Sequence, residues 1–270
     1  MKKSITGFIL GAVLAVLGVY YFPEVMPVTQ RNINNETLNA SLWMQTSAEY
    51  RALCYQGYNS ALDLLRSAKE SAKSGDKPLA VILDCDETLV DNLPADAAII
   101  DNDAKSWNIL VEWRKEAKAA AMPGAVEFLR KVDAMGVELF YVTNRVEDIR
   151  EETMQNLKSL TFPQVDDRHV SFASGISNKD SRFRMIEQDY NVIVYLGDTI
   201  HDFPINLHGK MMQERNAITD QNRTLFGRKY IVFPNPVYGP WLGAFAEGYK
   251  KMSPTEQRKA KVDALRIWRK

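Results

Sequence analysis

Short apolar runs alternate along this chain with longer stretches in which apolar residues recur at helical spacing. Uninterrupted apolar runs of about four to eight residues are typical of strands that are buried on both faces. The runs predict strands near residues 79–83, 136–142, 170–172, 192–196 and 230–233, and the spacing predicts helices near 149–160 and 180–188. Strands that alternate with helices favour a parallel sheet with right-handed crossovers. The predicted fold class is therefore α/β.

Two regions depart from this alternation. Residues 39–73 carry methionine, aromatic and aliphatic side chains at near-helical spacing, which predicts one or two accessory helices whose apolar stripe belongs to the core. Residues 93–122 interrupt the alternation with an Ala/Lys/Glu-rich helical pattern, and we interpret them as a small, mainly helical cap over the strand ends. Both regions belong to a predicted main domain that covers residues 39–270.

The beginning of the chain predicts export. Lys2 and Lys3 precede Ile5–Phe22, which contains no charged residue and is about long enough to span a membrane. The positive-inside tendency places everything after Pro23 on the far side, facing the periplasm or the cell exterior. An uncleaved membrane anchor is favoured over a cleaved signal that releases a soluble protein, and both remain open because the length falls between the two classes. Residues 1–22 are thus a signal or anchor, and residues 23–38 a spacer.

The composition of the chain argues against one class of partner and sets the size of the core. Lys and Arg number 34, as do Asp and Glu, so no global positive field favours a nucleic-acid polymer as partner. With 46% apolar residues in 270, the chain can bury one substantial core. Cys54 and Cys85 are expected to be free thiols, because a disulfide would distort the loop that holds Cys85.

Four aspartates carry the candidate chemistry. Asp84 and Asp86 follow the predicted strand 79–83, and Asp198 and Asp202 follow the predicted strand 192–196. Open α/β sheets bind their ligands at the carboxyl ends of parallel strands, so both pairs are expected at one edge. Carboxylates crowded in a low-dielectric cleft repel one another, and a hard divalent cation bound through oxygen is the usual remedy. Mg2+ is the predicted cofactor.

The order of the motifs resembles a known superfamily. The motifs are Asp84-x-Asp86-Glu87-Thr88, Thr143-Asn144, Lys179 before a helix, and Gly197-Asp198-x-x-x-Asp202. They stand in the order found in the haloacid-dehalogenase superfamily, and the segments 84–92, 122–128, 141–145 and 234–241 are similar to the class C acid phosphatases. The resemblance implies a haloacid-dehalogenase-like Rossmannoid parallel sheet flanked by helices. It also implies an acid phosphatase that acts on small phosphomonoesters, with nucleoside 5'-monophosphates as the leading substrates.

The residue types fit that chemistry. Asp84 is the predicted nucleophile, which would form an aspartyl-phosphate and so divide one hard step into two easier ones. Asp86 is predicted to protonate the leaving oxygen and then to take a proton from water, a role that requires a partly protonated carboxyl group. Asp198 and Asp202 are predicted to complete the Mg2+ shell with Asp84 and the backbone carbonyl of Asp86.

Other side chains are expected to hold the substrate. Thr143, Asn144 and Lys179 are predicted to bind the remaining phosphoryl oxygens. Trp107 or Trp113 in the cap and Tyr238 in a later loop are predicted to clamp a base by stacking. The alternative is that these aromatic residues only pack the cap on the core.

Three further questions stay open. A phosphotransferase of the same fold would share the aspartyl intermediate and differ only in what resolves it, and a catalytically silent, membrane-tethered binding module is a rival from another class. The sequence also leaves open whether the chain forms a homo-oligomer. An exported 5'-nucleotidase of the family is held by a lipidated cysteine near its amino terminus. This chain has none there, so any membrane attachment is expected to be through protein.

Overall fold

A computed structural model describes residues 28–102, 106–173, 175 and 178–269 of the chain. Within them the strands are β1 (Leu79–Leu83), β2 (Val90–Asp91), β3 (Ala120–Ala121), β4 (Glu138–Val146), β5 (Val170–Ala173), β6 (Asn191–Gly197) and β7 (Tyr230–Val232). Five of them form one sheet in the order β5-β4-β1-β6-β7, and every neighbouring pair in it is parallel. The predicted α/β class and its five strands are confirmed.

The helices lie between and before these strands. They are α1 (Gln30–Asn35), α2 (Leu38–Thr46), α3 (Ala48–Ser71), α4 (Leu93–Asn102), α5 (Ser106–Lys115), α6 (Ala125–Ala134), α7 (Arg150–Ser159), α8 (Asp180–Asp189), α9 (Met212–Gln221) and α10 (Pro254–Asp263). The sequence pattern predicted α7 and α8 to within about two residues, which is the ordinary uncertainty of a helix boundary. Single 3-10 turns occur at Glu147–Ile149, Ile200–Asp202, Pro240–Gly243 and Tyr249–Lys251.

The core lies on both faces of the sheet, because successive side chains of a strand point to opposite faces. In β1, Val81 and Leu83 join the core layer that contains the buried residues of α3, whereas Ala80 and Ile82 join the layer that contains Phe183 of α8. In α3, the predicted stripe is buried at Tyr50, Tyr58, Ala61, Leu62 and Leu65, whereas its members Leu53 and Tyr55 are exposed. Cys54 and Cys85 are both buried free thiols, as predicted.

The region 93–122 is mainly helical, as predicted for the cap. It consists of α4 and α5, and it ends at the short antiparallel ladder between β2 and β3. The two helices contact each other, α4 contacts α2, and α5 contacts α7. The segment therefore leaves the sheet directly after the first aspartate pair and returns to it at β3.

The described part of the predicted spacer 23–38 contains a helix, α1. Thr29 and Asn32 form a reciprocal capping box that begins α1. Glu36, which follows α1, accepts hydrogen bonds from Arg258 at 2.8 Å and from Lys261 at 2.6 Å, both on α10. The sequence did not indicate this helix because its partners lie more than two hundred positions away.

No helix among residues 28–102, 106–173 and 178–269 is long and apolar enough to cross a membrane. The apolar run Ile5–Phe22, on which the anchor prediction depends, lies outside the described residues.

Candidate active site

Three carboxylates meet at the carboxyl edge of the sheet. Asp84 follows β1, Asp198 follows β6, and each of them offers an oxygen within 4.8 Å of an oxygen of Asp202. The backbone N–H of Asp84 donates to the carbonyl oxygen of Leu196 at 2.9 Å, which ties the end of β1 to the end of β6. The structure thus brings together three of the four aspartates that the sequence placed at one edge.

Asp202 owes its position to a short turn after β6. Its Oδ2 accepts hydrogen bonds from the backbone N–H and the hydroxyl of Thr199, each at 2.9 Å. A Cβ on Gly197 would lie 2.2 Å from the Cβ of Asp202, far inside van der Waals contact. Gly197 is therefore required because Asp202 folds back against the end of its own strand.

Lys179 lies between two of these carboxylates. It is buried just before α8, and its Nζ donates to Asp84 Oδ1 at 2.5 Å and to Asp202 Oδ1 at 2.7 Å. Burial disfavours the charged ammonium, but Asp202 and Asp84 outweigh it and hold the pKa of Lys179 above its ordinary value. Lys179 therefore belongs to the site, and its predicted contact with a phosphoryl oxygen remains a prediction.

One ammonium does not neutralise this cluster. Burial raises the pKa of Asp84 to about 7, assisted by the charges of Asp202 and Asp86 and opposed by Lys179. The pKa of Asp198 is also well above its ordinary value, because of removal from water and the charges of Asp202 and Asp84. An all-oxygen donor set with excess negative charge is what Mg2+ binds in proteins, so the residues present fit the predicted ion.

Asp86 has a different environment, although it stands only two positions from Asp84. Its Oδ1 accepts hydrogen bonds from Arg145 Nη2 at 2.8 Å and Nε at 3.0 Å, and from Asn92 Nδ2 at 2.8 Å. Its Oδ2 accepts a hydrogen bond from Arg114 Nη2 at 3.0 Å. Because Arg114 belongs to α5, the predicted cap does reach the site.

These contacts set the ionisation of Asp86. Burial alone would raise its pKa, but the charges of Arg114 and Arg145 and the hydrogen bonds from Arg145 and Asn92 hold the pKa well below its ordinary value. The structure therefore keeps Asp86 ionised, whereas the predicted proton-transfer role needs a proton on it. That role remains a prediction, and it requires added negative charge near Asp86 during the reaction.

Thr143 and Asn144 lie in the second half of β4 and have different environments. Thr143 is buried, and its hydroxyl accepts a hydrogen bond from the backbone N–H of Arg145 at 3.1 Å. Asn144 is exposed, and its Oδ1 accepts a hydrogen bond from Arg182 Nη2 at 2.7 Å. Since a guanidinium group only donates, this contact assigns the amide oxygen of Asn144 and leaves its Nδ2 free to donate to an anion.

A loop after β7 joins the site through Asn235. Its Nδ2 donates to Asp198 Oδ2 at 2.6 Å, while its Oδ1 accepts from the backbone N–H groups of Val237 at 3.0 Å and Tyr238 at 3.3 Å. One amide side chain therefore connects Tyr238 to a predicted metal ligand. Tyr238 is half-buried and packs against the core.

The predicted cap contributes Trp113 to the surroundings of Asp86. Trp113 is half-buried, and its Nε1 donates to Asn92 Oδ1 at 3.1 Å, so it supports the side chain that contacts Asp86. This contact agrees with the packing alternative for Trp113 and does not test the clamp. The side chain of Trp107 lies outside the described part of the structure.

Among the side chains that donate hydrogen bonds to the aspartates, sequence reasoning assigned no role to Asn92, Arg114, Arg145, Thr199 and Asn235. Asn92, Arg145 and Asn235 lie inside segments that are similar to the class C acid phosphatases, and Arg145 comes directly after Thr143-Asn144. The resemblance could have suggested these three. Arg114 reaches Asp86 from 28 positions away, and no local pattern indicates that contact.

Comparison with known proteins agrees with this geometry. A family model described as HAD superfamily, subfamily IIIB (Acid phosphatase), matches residues 24–241. The structure of the class C acid phosphatase from Bacillus anthracis is similar, with a TM-score of 0.84 and 32% sequence identity over 89% of this chain and 100% of that chain. The same enzyme with tungstate bound matches with a TM-score of 0.83 and 32% identity over 87% of this chain and 99% of that chain.

Proposed function

This chain belongs to the acid phosphatases of subfamily IIIB of the HAD superfamily, and from that premise we propose that it is an exported, Mg2+-dependent 5'-nucleotidase. Phosphomonoester hydrolysis follows from the family, so the proposal concerns the metal, the substrate and the location. The observation that carries the metal part of the proposal is the grouping of Asp84, Asp198 and Asp202 around the buried ammonium of Lys179.

Asp84 is the nucleophile in this proposal. Its carboxylate attacks phosphorus in line, the bond to the leaving alcohol breaks, and an aspartyl-phosphate forms. Asp84, Asp198, Asp202 and the backbone carbonyl of Asp86 would hold Mg2+, which when bound offsets the negative charge of the phosphoryl group and of the carboxylates. Thr143, Asn144 and Lys179 donate hydrogen bonds to the phosphoryl oxygens. The tungstate reported in the Bacillus anthracis relative is a tetrahedral oxyanion like phosphate, which supports an anion site here.

Asp86 transfers the proton. A phosphoryl dianion beside Asp84 adds negative charge next to Asp86 and raises its pKa, which opposes the effect of Arg114 and Arg145. Asp86 then gives its proton to the leaving oxygen and recovers one from the water that hydrolyses the aspartyl-phosphate. Acidic solution favours this step because more of the Asp86 carboxyl group is protonated.

The proposed substrates are nucleoside 5'-monophosphates. The backbone N–H of Tyr238 donates to Asn235, whose amide donates to Asp198, so the loop that carries Tyr238 borders the place where a phosphoryl group would bind. Stacking of a base on an aromatic ring contributes about 1–3 kcal/mol and tolerates different bases. A partner ring would come from Trp107 or Trp113.

The substrate proposal is tested by Tyr238→Ala. We expect this change to raise KM for nucleoside monophosphates much more than KM for a small non-aromatic phosphate. An equal loss on both substrate types would indicate damaged packing and would refute the clamp. Trp241→Phe, which removes the hydrogen bond from Trp241 Nε1 to the Tyr238 carbonyl oxygen at 3.2 Å, is the control for loop disturbance.

The mechanism is tested on the purified full chain with a panel of phosphomonoesters, with Mg2+ and with a chelator. Chelation should abolish activity and added Mg2+ should restore it, and full activity after thorough chelation would refute the metal proposal.

Asp84→Asn should reduce turnover to background with the fold retained, and acid quenching of the unmodified enzyme should trap phosphate on Asp84. Asp198→Asn and Asp202→Asn should shift the Mg2+ titration to higher concentration. Phosphate release measured with and without an added alcohol distinguishes hydrolysis from phosphotransfer.

A further inference from the structure

The segment that follows α10 exposes three large apolar side chains. Leu265 is 66% exposed, Ile267 is 50% exposed and Trp268 is 79% exposed. Arg266 and Arg269 stand next to them in the sequence, and none of the three belongs to either core layer. Exposed apolar side chains that cluster in this way mark a contact surface more often than single exposed residues do.

The same region concentrates positive charge. Residues 250–270 contain eight Lys or Arg and two Asp or Glu, although the whole chain is balanced at 34 of each sign. Two of the basic side chains, Arg258 and Lys261, are paired with Glu36. In the part of the chain that the structure describes, Arg266 and Arg269 form no ion pair, so their charges are available to a partner.

The fold fixes where this surface lies. The contacts of Glu36 with Arg258 and Lys261 hold α10 beside α1. From Phe22, the end of the apolar run, to Gln30, the first residue of α1, the chain takes eight residue steps. Eight steps of extended chain span at most about 28 Å. If Ile5–Phe22 is the membrane anchor of the proposed function, the start of α1 lies within that distance of the membrane surface, and α10 packs beside α1.

We propose that residues 264–269 form a second membrane contact, which docks on anionic lipid beside the anchor. Trp268 and the two aliphatic side chains enter the interfacial region, where tryptophan is favoured, and the arginines bind lipid phosphate groups. Docking of a second copy on the same surface is opposed by charge, because a two-fold contact would bring the two basic segments together. This inference rests on the proposed anchor only for the proximity of the membrane.

The experiment places a reporter on this segment in the full chain. Ile267→Cys keeps Trp268 and is labelled with an environment-sensitive fluorophore, while Cys54 and Cys85 are buried and do not react. Met185→Cys is the matched control, because Met185 is 68% exposed but lies on α8. Both labelled proteins are studied with vesicles of phosphatidylcholine alone and with vesicles of phosphatidylcholine and phosphatidylglycerol in equal parts.

With anionic vesicles, the label at 267 should shift to shorter wavelength and be quenched by spin-labelled lipid, and the label at 185 should do neither. Arg266→Gln and Arg269→Gln should each reduce the ratio of docked to undocked label by about fivefold, and salt should reduce it as well. A 267 label that behaves like the 185 label on anionic vesicles overturns the proposal. So does a shift that appears without lipid and grows with protein concentration, which would identify a second copy as the occupant.

The anchor is judged separately, by whether the native chain sediments with membranes. A membrane-bound chain whose 267 label does not respond refutes the second contact and leaves the anchor intact. A chain found soluble after loss of residues 1–22, whose 267 label still responds to anionic vesicles, supports the second contact and refutes the anchor.

Discussion

Asp84 and Asp86 stand two positions apart, yet their environments shift their pKa values in opposite directions. Burial and neighbouring carboxylates raise the pKa of Asp84 to about 7, while Arg114 and Arg145 outweigh burial at Asp86 and hold its pKa far below the ordinary range. Pairs of groups whose environments separate their pKa values are typical of acid–base sites. In the proposed mechanism, a bound cation would favour the ionised form of Asp84, and a bound phosphoryl dianion would favour the protonated form of Asp86.

Removing one of the two arginines should change the pH dependence of turnover. In Arg114→Gln the pKa of Asp86 rises, so the carboxyl group stays protonated to higher pH. We expect the alkaline limb of the kcat profile to move upward by about one pH unit. Arg66→Gln, at an exposed ion pair on α3, is the control and should leave the profile in place. A limb that does not move in Arg114→Gln would show that Asp86 does not control it.

Arg182 should act on substrate binding through Asn144. Because Arg182 fixes the amide oxygen of Asn144, Arg182→Gln would let that oxygen turn toward the phosphoryl group and repel it. Loss of one hydrogen bond to a charged group predicts a KM increase of roughly tenfold, with a smaller change in kcat. In a double-mutant cycle with Asn144→Ala the two effects should not add. Additive effects would mean that Arg182 does not position Asn144.

At the scale of elements, the end of β6 and the turn after it form one unit. Gly197→Ala would force Asp202 away from the strand, because the new Cβ would overlap the Asp202 side chain. We expect at least a tenfold weaker Mg2+ affinity in a titration of activity, comparable to the loss of an orienting contact at a metal site. Gly243→Ala is the control, since its nearest neighbour would be 3.7 Å away and its backbone is not left-handed. Equal Mg2+ affinities for Gly197→Ala and Gly243→Ala would refute the requirement for glycine at position 197.

Asp96 on the cap helix α4 should lower the free energy of unfolding in a pH-dependent way. Burial and Asp91 raise the pKa of Asp96 to about 7 despite Arg114, and Asp96 Oδ2 has no hydrogen-bond partner in the described structure. The folded state therefore prefers protonated Asp96. Below the pKa of Asp96 in the unfolded state, this preference does not lower the free energy of unfolding. Above about pH 7, the free energy of unfolding is lowered by the full penalty of ionising the buried carboxyl group.

Asp96→Asn removes that penalty. It should raise the free energy of unfolding by up to about 4 kcal/mol at about pH 8 and by much less at about pH 4. Urea denaturation at both pH values measures the difference, and Asp63→Asn on the exposed face of α3 is the control. A gain that is the same at both pH values would exclude titration of Asp96 as its source.

At the scale of the whole molecule, the main prediction concerns location. If Ile5–Phe22 remains in the mature protein, the enzyme should fractionate with membranes, resist extraction by salt and be released by detergent. The amino-terminal sequence of the purified protein gives an independent measurement. A soluble protein whose sequence begins after residue 18 would identify the segment as a cleaved signal.

The local pattern of the sequence was sufficient for the strands and for the position of the aspartates. An apolar run buried on both faces is a local feature, and the residue after it necessarily lies at the carboxyl end of its strand. The apolar runs alone therefore assign Asp84 and Asp198 to one edge of the sheet. The fixed order of the motifs similarly identified Lys179, although a lone lysine is usually a surface residue.

Tertiary structure alone decided how these groups are charged and held. Arg114 and Asn235 reach Asp86 and Asp198 from the cap and from a distant loop, and Glu36 holds two basic residues more than two hundred positions away. Contacts of this kind depend on how separate segments pack and leave no periodic trace in the sequence. The pKa of a carboxyl group depends on its burial and on the charges around it, so two aspartates that look equivalent in the sequence acquire opposite pKa shifts only in the fold.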